Sequence, residues 1–386
     1  MSRSTVSLFI AVVVAFGAWT PASASAAPMT GPQNAPMATW QAGGRVRTLA
    51  VANGIAYLGG SFTTLFSHGT RHSVVRNHLA AINVSTGAPT PWNPNVNGPV
   101  RVIRVIGTRV YIGGSFTSVG GRRVRNVAAV GVTGGRPVRG FAASANGAVN
   151  ALAASNTTLY VGGAFTRVDG VAHRTLAAVS LATGALRPAF HAGTSGVVNT
   201  LLRDAGTRRL YVGGKFARID GLSRPFLGAV GSRRGAAFRW ANPPLGQVWS
   251  LALQPGASLY AAVGGHEGGQ LDAYAPSTGR RRWHRFADGD VQAVALTGGE
   301  VLAGGHFLNV CGTNAGGGSP WVCAVPVQRD RFFATDATGA VQSWDPSANS
   351  LYGVWALRTD PRHVIAGGDF TIVNGSHQAR YAEFLR

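Results

Sequence analysis

The chain has 386 residues, 45% hydrophobic and 13% charged, with 54 glycines and a formal net charge of +21. Thirty-five basic residues, 34 of them Arg, stand against 14 acidic ones, and fourteen Arg but no Asp or Glu precede Asp169. The absence of carboxylate side chains from the first 168 residues disfavours glycosidase chemistry, which needs two carboxylates on one pocket, and the imbalance projects a field that draws polyanions.

Arg3, the twelve-residue apolar run Leu8 to Trp19 and the Ala24-Ser25-Ala26 cleavage pattern read as a signal peptide, 1–26, cut after Ala26. The run is too short to span a bilayer as a helix, and no cysteine near the cut offers a lipid attachment point. A secreted, extracellular protein without a membrane span is expected. Residues 27–38, rich in Pro and Ala, read as a short tether.

From residue 39 onward a short apolar strand ending in a glycine pair recurs. Clear copies are Tyr57-Leu58-Gly59-Gly60-Ser61-Phe62, Tyr111-Ile112-Gly113-Gly114-Ser115-Phe116, Tyr160-Val161-Gly162-Gly163-Ala164-Phe165 and Tyr211-Val212-Gly213-Gly214-Lys215-Phe216. Looser copies lie at Gly264-Gly265, Gly304-Gly305 and Gly367-Gly368, with pairs 54, 49, 51, 51, 40 and 63 residues apart. Paired glycines weaken a strand, so they are expected to be notches where a neighbour's ring approaches the backbone. Around each pair the same order recurs: an apolar strand, the glycine-pair strand, a turn such as Asp169-Gly170 or Asp220-Gly221, and a Leu-Ala-Ala-Val strand. A fourth strand carrying Trp92, Phe141, Phe190, Trp240, Trp283 or Trp344 completes the unit. Repeats of this length predict an all-β fold: a single seven-bladed β-propeller over 39–386, with four antiparallel strands per blade. The last unit lacks a fourth strand, and Trp40 precedes the first, so the N-terminal strand is expected to close the ring and leave no open edge.

The pattern Tyr-Val-Gly-Gly-x-Phe, followed by Leu-Ala-Ala-Val, Thr-Gly and Trp92-Asn93-Pro94, resembles the delta-60-type repeat of secreted bacterial β-propellers. It is also similar to kelch and galactose-oxidase-like central repeats and to those of fungal cortical cell-polarity marker proteins. The resemblance implies architecture and no assigned reaction. A galactose-oxidase-like copper site would need a Cys–Tyr pair, which two structural cysteines do not offer.

Cys311 and Cys323, which flank an eleven-residue loop containing Gly316-Gly317-Gly318, are expected to form a disulfide in an exported protein. Closing so short a loop restrains the unfolded chain by about 3 kcal/mol at most. His68, His72 and His78 share a loop in which His-x-x-x-His is not a metal pattern, so no metal and no cofactor are expected. Asp288 and Asp290, close together, and Glu267 in the irregular fifth unit are the carboxylates an enzyme would draw on.

The residue after each starting Val of the first strands reads Arg47, Arg101, Asn150, Asn199, Trp249, Gln292 and Trp355. Equivalent positions in a propeller share one height, so these seven are expected to ring a channel mouth and to suit an anionic or hydroxyl-rich ligand. The expected protein is a monomeric, non-catalytic binding scaffold for a polyanion, a glycan or a surface protein. The alternative is a carbohydrate-active or oxidoreductase enzyme using the same mouth. Nucleic acid fits poorly, because no nucleic-acid-binding module is legible. Coding bias towards Arg explains Arg over Lys but not the missing carboxylates.

Overall fold

The computed structural model of the chain describes residues 31–386 apart from 71, 241, 266, 267, 313–322 and 324. The expected signal peptide, Glu267 and the glycine run Gly316 to Gly318 lie outside the described residues. The fold is all-β, with no helix among the described residues.

One antiparallel ladder of inner, middle and outer strands repeats along the chain. The inner strands are Val46–Ala52, Val100–Ile106, Val149–Ala154, Val197–Asp204, Gln247–Gln254, Val291–Leu296 and Val354–Thr359. In the third unit Val149–Ala154 pairs with Thr158–Gly163, which pairs with Leu176–Ser180. Successive inner strands pack side by side, and Val46–Ala52 also packs against Val354–Thr359. Apolar clusters lie between adjoining sheets; one joins Leu49 and Leu58 of the first unit to Ala356, Ile365 and Tyr381 of the last. Sheets covered on both faces explain why their strands read as near-continuous apolar runs.

The glycine pairs serve two different contacts. A Cβ on Gly59 would stand 2.7 Å from Val100 Cγ1 of the next unit, and one on Gly367 would stand 2.6 Å from Val46 Cγ1. A Cβ on Gly60 or Gly114 would instead collide with a backbone carbonyl of its own unit, that of Arg45 or Pro99. The expected neighbour, an aromatic ring, is replaced by a valine methyl on one side and by main chain on the other. The fifth copy also needs correction. In the ladder Val248 faces Val263 and Ser250 faces Ala262, so Ala262-Val263 occupies the glycine-pair register and Gly264-Gly265 lies beyond it.

Fourth strands are less regular than the repeat suggests. Arg281–Ala287 in the fifth unit pairs along the whole of Gly269–Tyr274. The first unit has only Ala88–Pro89, and others keep single bridges such as Val130↔Pro137 and Val179↔Leu186. Proline has no N–H to donate to a ladder, and Arg281–Ala287 contains none. Arginines stand in where backbone pairing stops: Arg76 donates to Thr90 O at 2.8 Å, Arg224 to Phe238 O at 3.2 Å and Arg329 to Gln342 O at 3.0 Å. The aromatic of each fourth segment still packs on its own sheet, with Trp92 against Tyr57 at 5.1 Å and Phe141 against Tyr111 at 5.5 Å between ring centres.

The N-terminal segment lies beside the last outer strand, Tyr381–Leu385. Gln33 N–H donates to Leu385 O at 2.8 Å and Met37 N–H to Glu383 O at 2.7 Å. Farther along, Gln41–Ala42 pairs with Thr64–Phe66 of the first unit.

Candidate functional site

The seven residues Arg47, Arg101, Asn150, Asn199, Trp249, Gln292 and Trp355 line one narrow cavity of about 60 Å³. Each is carried by the same local distortion. In every unit the inner strand slips register by one residue against the middle strand, between Val46 and Thr48, Val100 and Val102, and so on to Val354 and Ala356. The residue left unpaired by this β-bulge is the ring residue. A bulge re-aims a side chain and bends its strand, and in six units the second glycine leaves room for the backbone carbonyl just before the bulge. In the fifth unit Val263 holds that place and the bulge still forms, so the glycine accompanies the bulge without being required by it.

Polar contacts run around the ring. Arg101 donates to Asn150 Oδ1 at 3.4 Å, and the amides of Asn150 and Asn199 donate to the next unit's backbone, at Val198 O and Val248 O, both 3.3 Å. On the opposite side Trp249 and Trp355 meet edge-on, ring centres 5.6 Å apart, while Gln292 of the unit between them is buried. Arg47 lies over Trp355 with its guanidinium carbon 4.3 Å from the ring centre. Arg45, at the rim, pairs with Asp369 at 2.5 Å and stacks on exposed Tyr352 at 4.9 Å. Four buried polar atoms of the ring have no hydrogen-bond partner: Arg101 Nε, Trp249 Nε1, Gln292 Oε1 and Trp355 Nε1. Burial, then the charges of Arg101 and Arg45, pushes Arg47 down to about 10, although Asp369 opposes this. It stays a cation at neutral pH.

Six of the seven also line a larger adjoining cavity of about 180 Å³, which extends to Arg104 and Arg358. Sequence reasoning missed this second tier. Arg104 lines the larger cavity, whereas the nearby Arg122 and Arg123 form an edge hairpin with Ser118–Val119.

The remaining candidates fall elsewhere. Cys311 and Cys323 form a disulfide with Cα atoms 5.5 Å apart. His68 Nδ1 lies 3.1 Å from Gln41 Nε2 and His72 is exposed, while burial lowers the pKa of His78. Among the described residues no three His, Cys, Asp or Glu are grouped to hold a metal ion. Asp288 accepts the N–H groups of Leu308 and Asn309 at 2.7 and 3.1 Å, and Asp290 accepts that of Gly265 at 2.9 Å. Both are used to fix turns.

No protein-family model matches the chain, and no curated protein does. Solved structures do. The WD40 β-propeller domain of Doa1 is similar with a TM-score of 0.56 at 9% identity, over 91% of this chain and 96% of that one. A chain of the mitotic checkpoint complex reaches 0.59 at 14% identity, over 97% and 98%. U3-55K reaches 0.59 at 11% identity, over 92% and 99%. At such identities the likeness is one of fold, and the fold is a β-propeller.

Proposed function

We propose that the chain is a secreted, non-catalytic binding propeller whose channel mouth holds an anionic or hydroxyl-rich group of an extracellular or cell-surface ligand. In this reading the delta-60-type units form seven blades of four strands, with residues 33–42 supplying the last blade's fourth strand. Contact of the first and last inner strands supports such a ring.

One observation carries the functional reading. Arg47, Arg101, Asn150, Asn199 and two tryptophans converge on one cavity, each on its own bulge, and no Asp or Glu lines it. Guanidinium and amide donors beside aromatic faces suit carboxylate, sulfate or hydroxyl groups. The basic edge hairpins add a long-range field that gathers polyanions but selects weakly.

The test is a titration of an acidic polysaccharide, polygalacturonate, into residues 27–386 at low and high salt. Arg47→Ala with Arg101→Ala should remove the selective part of binding. Changing Arg122, Arg123 and Arg125 to Ala should remove only the salt-sensitive part, since exposed charges are screened beyond about 8 Å at physiological ionic strength. Binding that is salt-insensitive, or absent at low salt, overturns the proposal.

A further inference from the structure

Three residues beyond each bulge, the inner strands carry Ala in the first, third, fifth and sixth units and Leu202 in the fourth. The second and seventh units carry Arg104 and Arg358, which therefore flank the small Ala50 of the first. Both line the cavity of about 180 Å³ together with Arg47 and Arg101. No Asp or Glu lines it. Elsewhere Arg45, Arg281 and Arg329 pair with carboxylates; among the described residues none of these four cavity arginines does. Arg358 donates to Leu357 O at 2.7 Å, and Arg101 Nε is buried without a partner. Burial and then the Arg104 charge push Arg358 down to about 10.

Arg47, Arg101 and Arg358 are half-buried and Arg104 is exposed. Gathered without a counter-charge, the four like charges repel one another, and the half-buried ones cost the fold stability. We infer that the chamber is a site for one compact oxyanion of the phosphate or sulfate class, held between Arg104 and Arg358 beneath the bulge ring. The inference rests on the reading above for the anionic preference of the cavity, but it names a second tier and a different ligand. Size selects the ligand class: the chamber is smaller than the roughly 300–1,000 Å³ of pockets for drug-sized molecules. A single tetrahedral anion fits where an oligosaccharide does not. Leu152, Leu201 and Leu251 supply apolar wall beside the arginines, whose guanidinium forks bind an oxyanion through charge-assisted bonds.

Calorimetry and melting of residues 27–386 with inorganic phosphate, sulfate and chloride at matched ionic strength test this. Phosphate or sulfate should bind one to one and saturate, and chloride should not. Glucose 6-phosphate binding as well as free phosphate would identify a monoester headgroup as the source; its exclusion would identify the free ion. Arg104→Met with Arg358→Met should weaken binding about tenfold or more. The same change should raise the melting temperature of the anion-free protein, because it removes like-charge repulsion. Arg358→Lys, which keeps the charge without the planar fork, should bind more weakly than wild type, and Arg123→Met on the exposed hairpin should bind normally. Absence of saturable phosphate and sulfate binding, or its survival in the double variant, overturns the inference. Phosphate binding without polysaccharide binding would overturn the mouth reading alone, and the converse would overturn only this site.

Discussion

The carbonyl oxygen of Pro99 stands where a Cβ on Gly114 would have to be. Pro99 immediately precedes the bulge that aims Arg101 into the cavity, so the glycine and the ring residue are linked through the backbone.

Gly113 differs from Gly114, and the difference is testable. A Cβ on Gly113 would meet a methyl of Val149, a side chain that can be trimmed. Gly114→Ala or the larger Gly114→Leu should destabilise by about 1–3 kcal/mol or more through overpacking against main chain. Val149→Ala should partly rescue Gly113→Ala and leave Gly114→Ala unrescued. Urea midpoints of the singles and doubles decide it; additive effects in both pairs would show that the two notches are alike.

Much of this was legible because the repeat writes it seven times. A bulge position that varies among Arg, Asn, Trp and Gln, between neighbours that stay small or apolar, stands out in an alignment of units. Arg104 and Arg358 do not stand out, because their position is Ala in four other units and reads as core. The fifth unit misleads for a related reason: Gly264-Gly265 has the right composition, while register follows the ladder, which places Ala262 and Val263 opposite the bulge. The fourth segments pair over less of their length than their aromatics suggest, because those rings pack on the sheet whether or not the backbone pairs, and arginine–carbonyl bonds take up carbonyls that the ladder leaves.

Glu383 predicts a pH dependence. Its side chain is fully buried and takes a hydrogen bond from the Tyr381 hydroxyl, while Oε2 has no partner. Burial pushes its pKa from 4.5 to about 7, with Tyr381 opposing and Asp360 adding to the rise. Between those values the native state holds a proton that the unfolded chain has released, so this group's contribution to stability falls as pH rises from about 4.5 to about 7. Asp204, Asp336 and Asp360 are shifted down and act in the opposite sense, so the comparison must be between variant and wild type. Glu383→Gln should match wild type near pH 4.5 and melt higher above pH 7. Asp272, buried, bonded by Tyr274 at 2.5 Å and pushed up to about 6, should behave likewise as Asp272→Asn. A melting difference that does not change with pH would contradict both.

The N-terminal segment carries the last prediction. Trp344 Nε1 donates to Gln33 O at 3.2 Å, Gln378 Nε2 to Thr39 Oγ1 at 3.0 Å, and Ala379 N–H to Gln41 Oε1 at 2.8 Å. Together with the backbone bonds from Gln33 and Met37, these contacts cover the edge of Tyr381–Leu385 and reach the first unit through Gln41–Ala42. Removing residues 27–44 exposes that edge, leaves the buried amide of Gln378 without the Thr39 hydroxyl, and opens the cluster that holds Ala42 against Leu65. An uncovered edge pairs with other chains. The truncated protein should therefore melt lower than residues 27–386 and associate in a concentration-dependent way, measured by light scattering. A synthetic peptide spanning residues 31–44, added in excess, should raise the melting temperature of the truncated chain by mass action. Equal melting of the truncated and longer proteins, with no association, would show that the segment only lies on the sheet and does not complete it.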